Sequence, residues 1–153
     1  MPQTKRRKKA RPRKNKPRYL FKITVVGPDD KLLEDVLSVL SAEVIAVDGI
    51  RISSAAVTVE KTDVKTLFMS PKHSALDILL SVTFAGASGA IIVLKEADSD
   101  METLYRNEVR EKIGAGVPTR VIAIGSGMDD FKRNEIAVLL DEMVEEILSD
   151  KVH

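Results

Sequence analysis

The chain has 153 residues, 44% of them hydrophobic, enough for one ordinary domain with a single core. Its net charge of +1 conceals a division. Residues 1–18 carry ten cations and no acid, leaving 14 of the 24 basic residues against all 23 acidic ones in the remainder. The lack of Cys excludes a disulfide framework and a thiolate metal site, and two His do not make a His-rich zinc site. No apolar run is long enough for a membrane span, and no signal-peptide core or lipid-anchor motif is visible. The expectation is therefore a cytoplasmic protein without metal or cofactor, an acidic α/β body carrying a basic arm.

The arm, MPQTKRRKKARPRKNKPR, offers Lys5, Arg6, Arg7, Lys8, Lys9, Arg11, Arg13, Lys14, Lys16 and Arg18. Three prolines interrupt any helix, and the like charges repel, so an extended, disordered segment is expected. Ten neighbouring cations displace counterions from a polyanion, which points to nucleic acid, with RNA favoured. No aromatic residue precedes Tyr19, so contact would be with phosphates and not by base stacking. An anionic membrane surface, a solubilising tail and a nuclear address are the alternatives.

Tyr19–Val26 reads as a buried parallel strand, broken by Gly27 and Pro28. Asp29 or Asp30 caps the next helix, whose apolar face is Leu32, Leu33, Val36, Leu37, Val39 and Leu40. From Glu43 to Met69 the pattern is β. Ile50–Ser54 and Ala56–Lys61 form one irregular extended segment, and Lys65–Met69 a second strand. Asp63 stands in the polar interval of a hairpin between them, and Ser70 and Pro71 end the strand. A mostly buried helix is expected over Ser74–Phe84, and a buried strand over Gly89–Leu94. Met101–Ile113 reads as a helix with Met101, Leu104, Tyr105, Val109 and Ile113 inward. The strand Thr119–Ile124 follows, then a long helix capped by Asp129 or Asp130. Along that helix Ile136, Leu139, Leu140, Met143, Val144, Ile147 and Leu148 repeat at helical spacing, opposite Glu135, Asp141, Glu142, Glu145 and Glu146. Alternating strands and helices predict a three-layer α/β domain over 19–153, with a mostly parallel sheet of about five or six strands and one antiparallel edge strand.

The order strand–turn–helix–hairpin–helix–strand–helix–strand resembles that of the Ras-like small GTPases, the P-loop NTPase architecture. KITVVGP is similar to the KIVVTGP that opens the phosphate loop in bacterial and archaeal small GTPases of the gliding-protein and Arf-like type. LFMSPKHSALDILLSVTFAGASGAIIVL resembles their LFGTPGQERFDFMWDILSEGALGAVVLV, and GVPTRVIAIGSGMDD stands where they carry a VP-V-V-NKxD stretch. The resemblance spans most of 21–148.

The signature chemistry of that family is missing. A phosphate loop needs glycines whose amides approach phosphate, a Lys for charge and a hydroxyl for magnesium. Counting from Gly27, the second Gly, the Lys and the Ser/Thr fall on Leu32, Leu33 and Glu34, and a one-residue gap brings only Lys31 near the Lys position. Asp29, Asp30, Glu34 and Asp35 fill the anion-favouring helix end with carboxylates, each repelling a phosphate by about 1 kcal/mol or more at ~4 Å. In the second motif, Met69 replaces the acid and Lys72 the γ-phosphate-sensing Gly, and His73 falls where a water-positioning Gln or His would stand; an exposed loop His is the simpler assignment. In the third, Asp129 remains but Asn and Lys are gone. What the resemblance then implies is a pseudo-GTPase without catalytic residues, acting as an interaction module held to RNA or a ribonucleoprotein by its arm. A regulatory partner of an active GTPase and a divergent GTP-binding protein are the alternatives. A protein partner is expected; the oligomeric state is not legible.

Overall fold

A computed structural model of the chain describes residues 19–72, 77–125 and 127–152. The ten arm cations and His73 lie outside the described residues. The elements in order are β1 (Tyr19–Val26), α1 (Asp30–Leu40), β2 (Val44–Val47), β3 (Ile50–Val59), β4 (Thr62–Pro71), α2 (Asp77–Phe84), β5 (Gly89–Leu94), α3 (Ser99–Lys112), β6 (Thr119–Ala123) and α4 (Asp130–Val152).

They build one six-stranded sheet in the order β2-β3-β4-β1-β5-β6. β4, β1, β5 and β6 run parallel, with Ile23 of β1 flanked by Phe68 and by Gly89. β1 is central because its apolar side chains alternate between two covered faces. Phe21, Ile23 and Val25 join the larger core with Leu33, Val36 and Leu37 of α1 and Met143, Val144 and Ile147 of α4. Val26 joins the second core, with Phe84, Ile92 and Val109. Two packed layers of helix thus enclose the sheet, an α/β sandwich.

Several expectations are corrected. The antiparallel part has two strands, not one: β3 is antiparallel to β4, and β2 to β3, so β2 is the edge. Ile50–Val59 is one continuous ten-residue strand, not an irregular segment. Asp63 sits inside β4, opposite Thr58, whose hydroxyl donates to Asp63 Oδ1 at 3.0 Å. The turn is Glu60 and Lys61, both at positive φ. β4 also runs on through Ser70 to Pro71. Residues 74–76 of the expected α2 fall outside the described residues, and the helix described begins at Asp77. On α3, Leu104 points outward at 57% exposure, while Met101, Tyr105 and Ile113 pack at the edge of the second core around buried Val109. α4 buries the expected apolar row, with Leu139 at its margin.

Lys22 shows how the layers are tied. Its ammonium donates to the carbonyls of Val82 and Ala85 at 3.1 and 2.6 Å, satisfying the last turn of α2. Burial lowers its pKa from the usual 10.5. Among the described residues no helix is long and apolar enough to cross a membrane.

Candidate functional site

In open α/β sheets, ligands bind beyond the carboxyl ends of the parallel strands. Here that edge is formed by the end of β1, the start of α1 and the end of β4. Asp29 is the N-cap: its Oδ1 accepts from the amides of Lys31 and Leu32 at 3.0 and 3.2 Å. Those are the orphan amides that an anion would otherwise take. Lys31 lies on the solvent side and pairs with Asp35 at 3.5 Å.

The principal occupant of the edge is a residue that sequence reasoning passed over. Arg51 of β3 is 2% exposed. Its Nη2 donates to Asp30 Oδ1 and to the Pro71 carbonyl, both at 3.1 Å, with Ser70 Oγ at 3.5 Å. Nη1 lies 3.9 Å from Glu34 Oε2, close enough for an ion pair. A guanidinium therefore bridges the first turn of α1 to the end of β4, setting one positive charge between two of the four carboxylates noted at the helix start. Its Nε and Nη1 make no hydrogen bond, a cost of about 1–3 kcal/mol for each orphaned group that its two carboxylate neighbours offset. The signal available in the sequence was the acidic cluster itself, which calls for a cation nearby.

Gly27 has a packing reason of its own. A Cβ there would sit 2.2 Å from the Val93 carbonyl oxygen, so β1 and β5 approach too closely for any side chain. Met69 is half-buried within β4. Lys72 is exposed, and its amide donates to the Gly49 carbonyl at 2.9 Å. The β2–β3 turn is thereby fastened to the end of β4.

Beside this edge lies a cavity of about 190 Å³, lined among others by Gly27, Pro71, Leu104, Tyr105 and Glu108. The Tyr105 phenol has its pKa raised by burial first, then by the negative charges of Asp30 and Glu108. Asp129, expected at the base-reading position, caps α4: its Oδ1 accepts from the Lys132 amide at 2.8 Å. Lys132 folds back to donate to the Ala123 carbonyl at the end of β6 and pairs with Glu135, each at 2.9 Å.

Of the sequence-derived positions, the structure brings together Gly27, Asp29, Asp30 and Glu34, with Lys72 near them; Asp129 belongs to a separate cap. No protein-family model matches the chain, and no curated protein matches it significantly.

Proposed function

We propose that this chain is a pseudo-GTPase, a Ras-like domain whose phosphate grip has been replaced and which serves as an interaction module held to RNA by residues 1–18. The observation that carries the reading is Arg51. An internal guanidinium, countered by Asp30 and Glu34, stands at the helix start where a nucleotide's phosphates and their cation would lie. Leu32, Leu33 and Glu34 supply neither the amine nor the hydroxyl that a phosphate loop requires. The element order, with β2 added, is the one on which the resemblance rests. The arm's ten cations then supply affinity, and the folded body supplies the surface offered to a partner.

The body's attachment through RNA is tested with the full chain. Fluorescence anisotropy with a 20-nucleotide single strand, across a salt series, should show binding that weakens steeply. The slope should approach about 0.7 per phosphate neutralised on a single strand. A full-length variant with the ten arm cations changed to Gln should lose that binding; unchanged affinity would overturn the arm's role.

A protein-partner reading has its own support. Ile45 and Val47 of the edge strand β2 are 52% and 49% exposed. Among the described residues β2 pairs with β3 alone, and its free edge with exposed apolar side chains is a place for another chain to pair.

A further inference from the structure

We propose that β2 is a self-association strand. Two copies of this chain join β2 to β2, antiparallel about a twofold axis at Ile45, and their six-stranded sheets become one continuous sheet. The inference rests on the protein-partner reading of the β2 edge, whose partner it names, and on neither the RNA nor the pseudo-GTPase reading.

The hairpin turn decides which backbone groups β2 turns outward. Asp48 and Gly49, both at positive φ, form a two-residue loop closed by Val47 opposite Ile50. Such a closing pair exchanges both of its hydrogen bonds, and the alternation of an antiparallel ladder gives Ile45 the same role with Ile52. The β3–β4 hairpin assigns the same parity from the other side. It is closed by Val59 opposite Thr62, so Val59 and every second residue down to Arg51 bond to β4, leaving Ile50 and Ile52 for β2. The N–H and C=O of Val44 and of Ala46 therefore point away from the sheet. Among the described residues none of these four groups has a partner.

Val44 and Ala46 stand one residue to either side of Ile45. In a self-pairing centred there, Val44 meets Ala46 of the second copy and Ala46 meets its Val44, so every outward group is bonded and none is left over. Ile45 meets its own counterpart as the non-hydrogen-bonded pair, where Cα atoms come within about 4.5 Å and side chains touch. Both are β-branched and apolar, a cross-strand pair that stabilises a sheet. Ile45 and Val47 are 52% and 49% exposed and stand opposite Ile52 and buried Ile50, so a second copy extends an existing apolar row. The strand VIAV carries none of the guards of a solvent edge, neither charge, proline nor bulge. The flanking acids do not oppose each other: in this register Glu43 falls opposite Val47, and Asp48 opposite Ala42. A patch that satisfies itself in this way is what a twofold contact requires. Four strand residues a side bury less than the roughly 800 Å² per partner of a standard interface, so the association is weak and follows concentration.

The chain has no cysteine, so Ile45→Cys in the full chain probes the register. A pair on the twofold lies within disulfide reach, about 4.4–6.8 Å between Cα atoms. Val47→Cys lies four strand steps, roughly 13 Å, along the ladder from its counterpart. Mild oxidation should cross-link I45C chains into dimers and leave V47C chains single; equal cross-linking of both would overturn the register. Sedimentation velocity at about 500 mM salt, which screens attraction between the basic arm and the acidic body, reads the association itself. The mass should move from 16.8 kDa toward twice that between about 5 and 500 µM. Ile45→Lys and Ile45→Glu, at this exposed position, should each weaken self-association by about tenfold or more. An equal mixture of the two at about 150 mM salt should associate again, because Lys then meets Glu at the axis; a mixture no tighter than either variant alone would overturn the pairing. Amide exchange separates this inference from the reading it rests on. Val44 and Ala46 amides should exchange more slowly as concentration rises. A chain that stays monomeric with both amides exchanging rapidly overturns the self-pairing and leaves the edge to another protein. Protection of both amides at every concentration overturns the edge reading as well.

Discussion

Arg51 is the residue on which the character of the edge between α1 and β4 turns. It links α1 to β4 across 21 and 20 positions of sequence, through Asp30 and the Pro71 carbonyl. Its partners are half-exposed, so truncation leaves them access to water and the loss is smaller than for a buried pair. Arg51→Ala should lower stability by about 1–3 kcal/mol, read from the urea midpoint. Arg51→Lys should recover less than half of that, because one ammonium cannot reproduce the guanidinium's several contacts. A loss under about 0.5 kcal/mol would mean that the cluster is a surface ornament. Tyr105 gives a pH prediction. Its folded pKa is raised above the ordinary 10.0, chiefly by burial. Its stabilisation is therefore complete below the unfolded value and is lost as pH rises through the folded one. Ultraviolet titration of a Tyr19→Phe chain, which leaves Tyr105 as the only phenol, should place its ionisation above that of free tyrosine. Tyr105→Phe should remove part of the alkaline loss of stability. Ionisation at the free-tyrosine value would contradict the packing described for α3.

At the scale of elements, strands β1 and β5 and helix α4 are legible in the sequence because a local period decides them. GAIIVL is a continuous apolar run, YLFKITVV is an apolar run interrupted by Lys22 and Thr24, and the α4 row repeats at helical spacing. The antiparallel region is less legible. β2 has four residues, too few for a period, although Asp48-Gly49 between apolar neighbours is a strong hairpin signal, and both adopt positive φ. The β3–β4 turn misleads in the opposite direction. Glu60 and Lys61 take positive φ without being Gly or Asn, so the eye moves on to Asp63, which belongs to the strand. The ten-residue ladder overrides the local preference of the turn. Relieving that strain should help: Lys61→Gly is expected to stabilise the fold by about 1 kcal/mol, measured by thermal or urea unfolding. A loss of stability would show that the Lys61 side chain contributes more than its backbone costs. Leu104 fits a helical apolar row yet faces outward, because α3 is covered on a narrower face than its pattern allows. Arg51 was illegible for a further reason: its meaning depends on α1 and β4 meeting, which no local window reports.

For the molecule as a whole, two charged ends emerge along the axis of β1. At the carboxyl end, carboxylates are met by a buried guanidinium from within the domain. At the amino end, carboxylates line an open groove from which the basic segment departs. In the first arrangement the countercharge comes from within the domain, and in the second the exposed carboxylates meet charges in solution that salt screens. The central claim is that the α1 edge no longer takes nucleotide. Thermal unfolding of the full chain with GTP, GDP or ATP at millimolar concentration, each with magnesium, tests it most directly. A ligand at 100 times its Kd would add about 2.7 kcal/mol of stability. The account predicts melting temperatures unchanged by all three, whereas a concentration-dependent rise with any of them, abolished by substitution at the α1 edge, would contradict it.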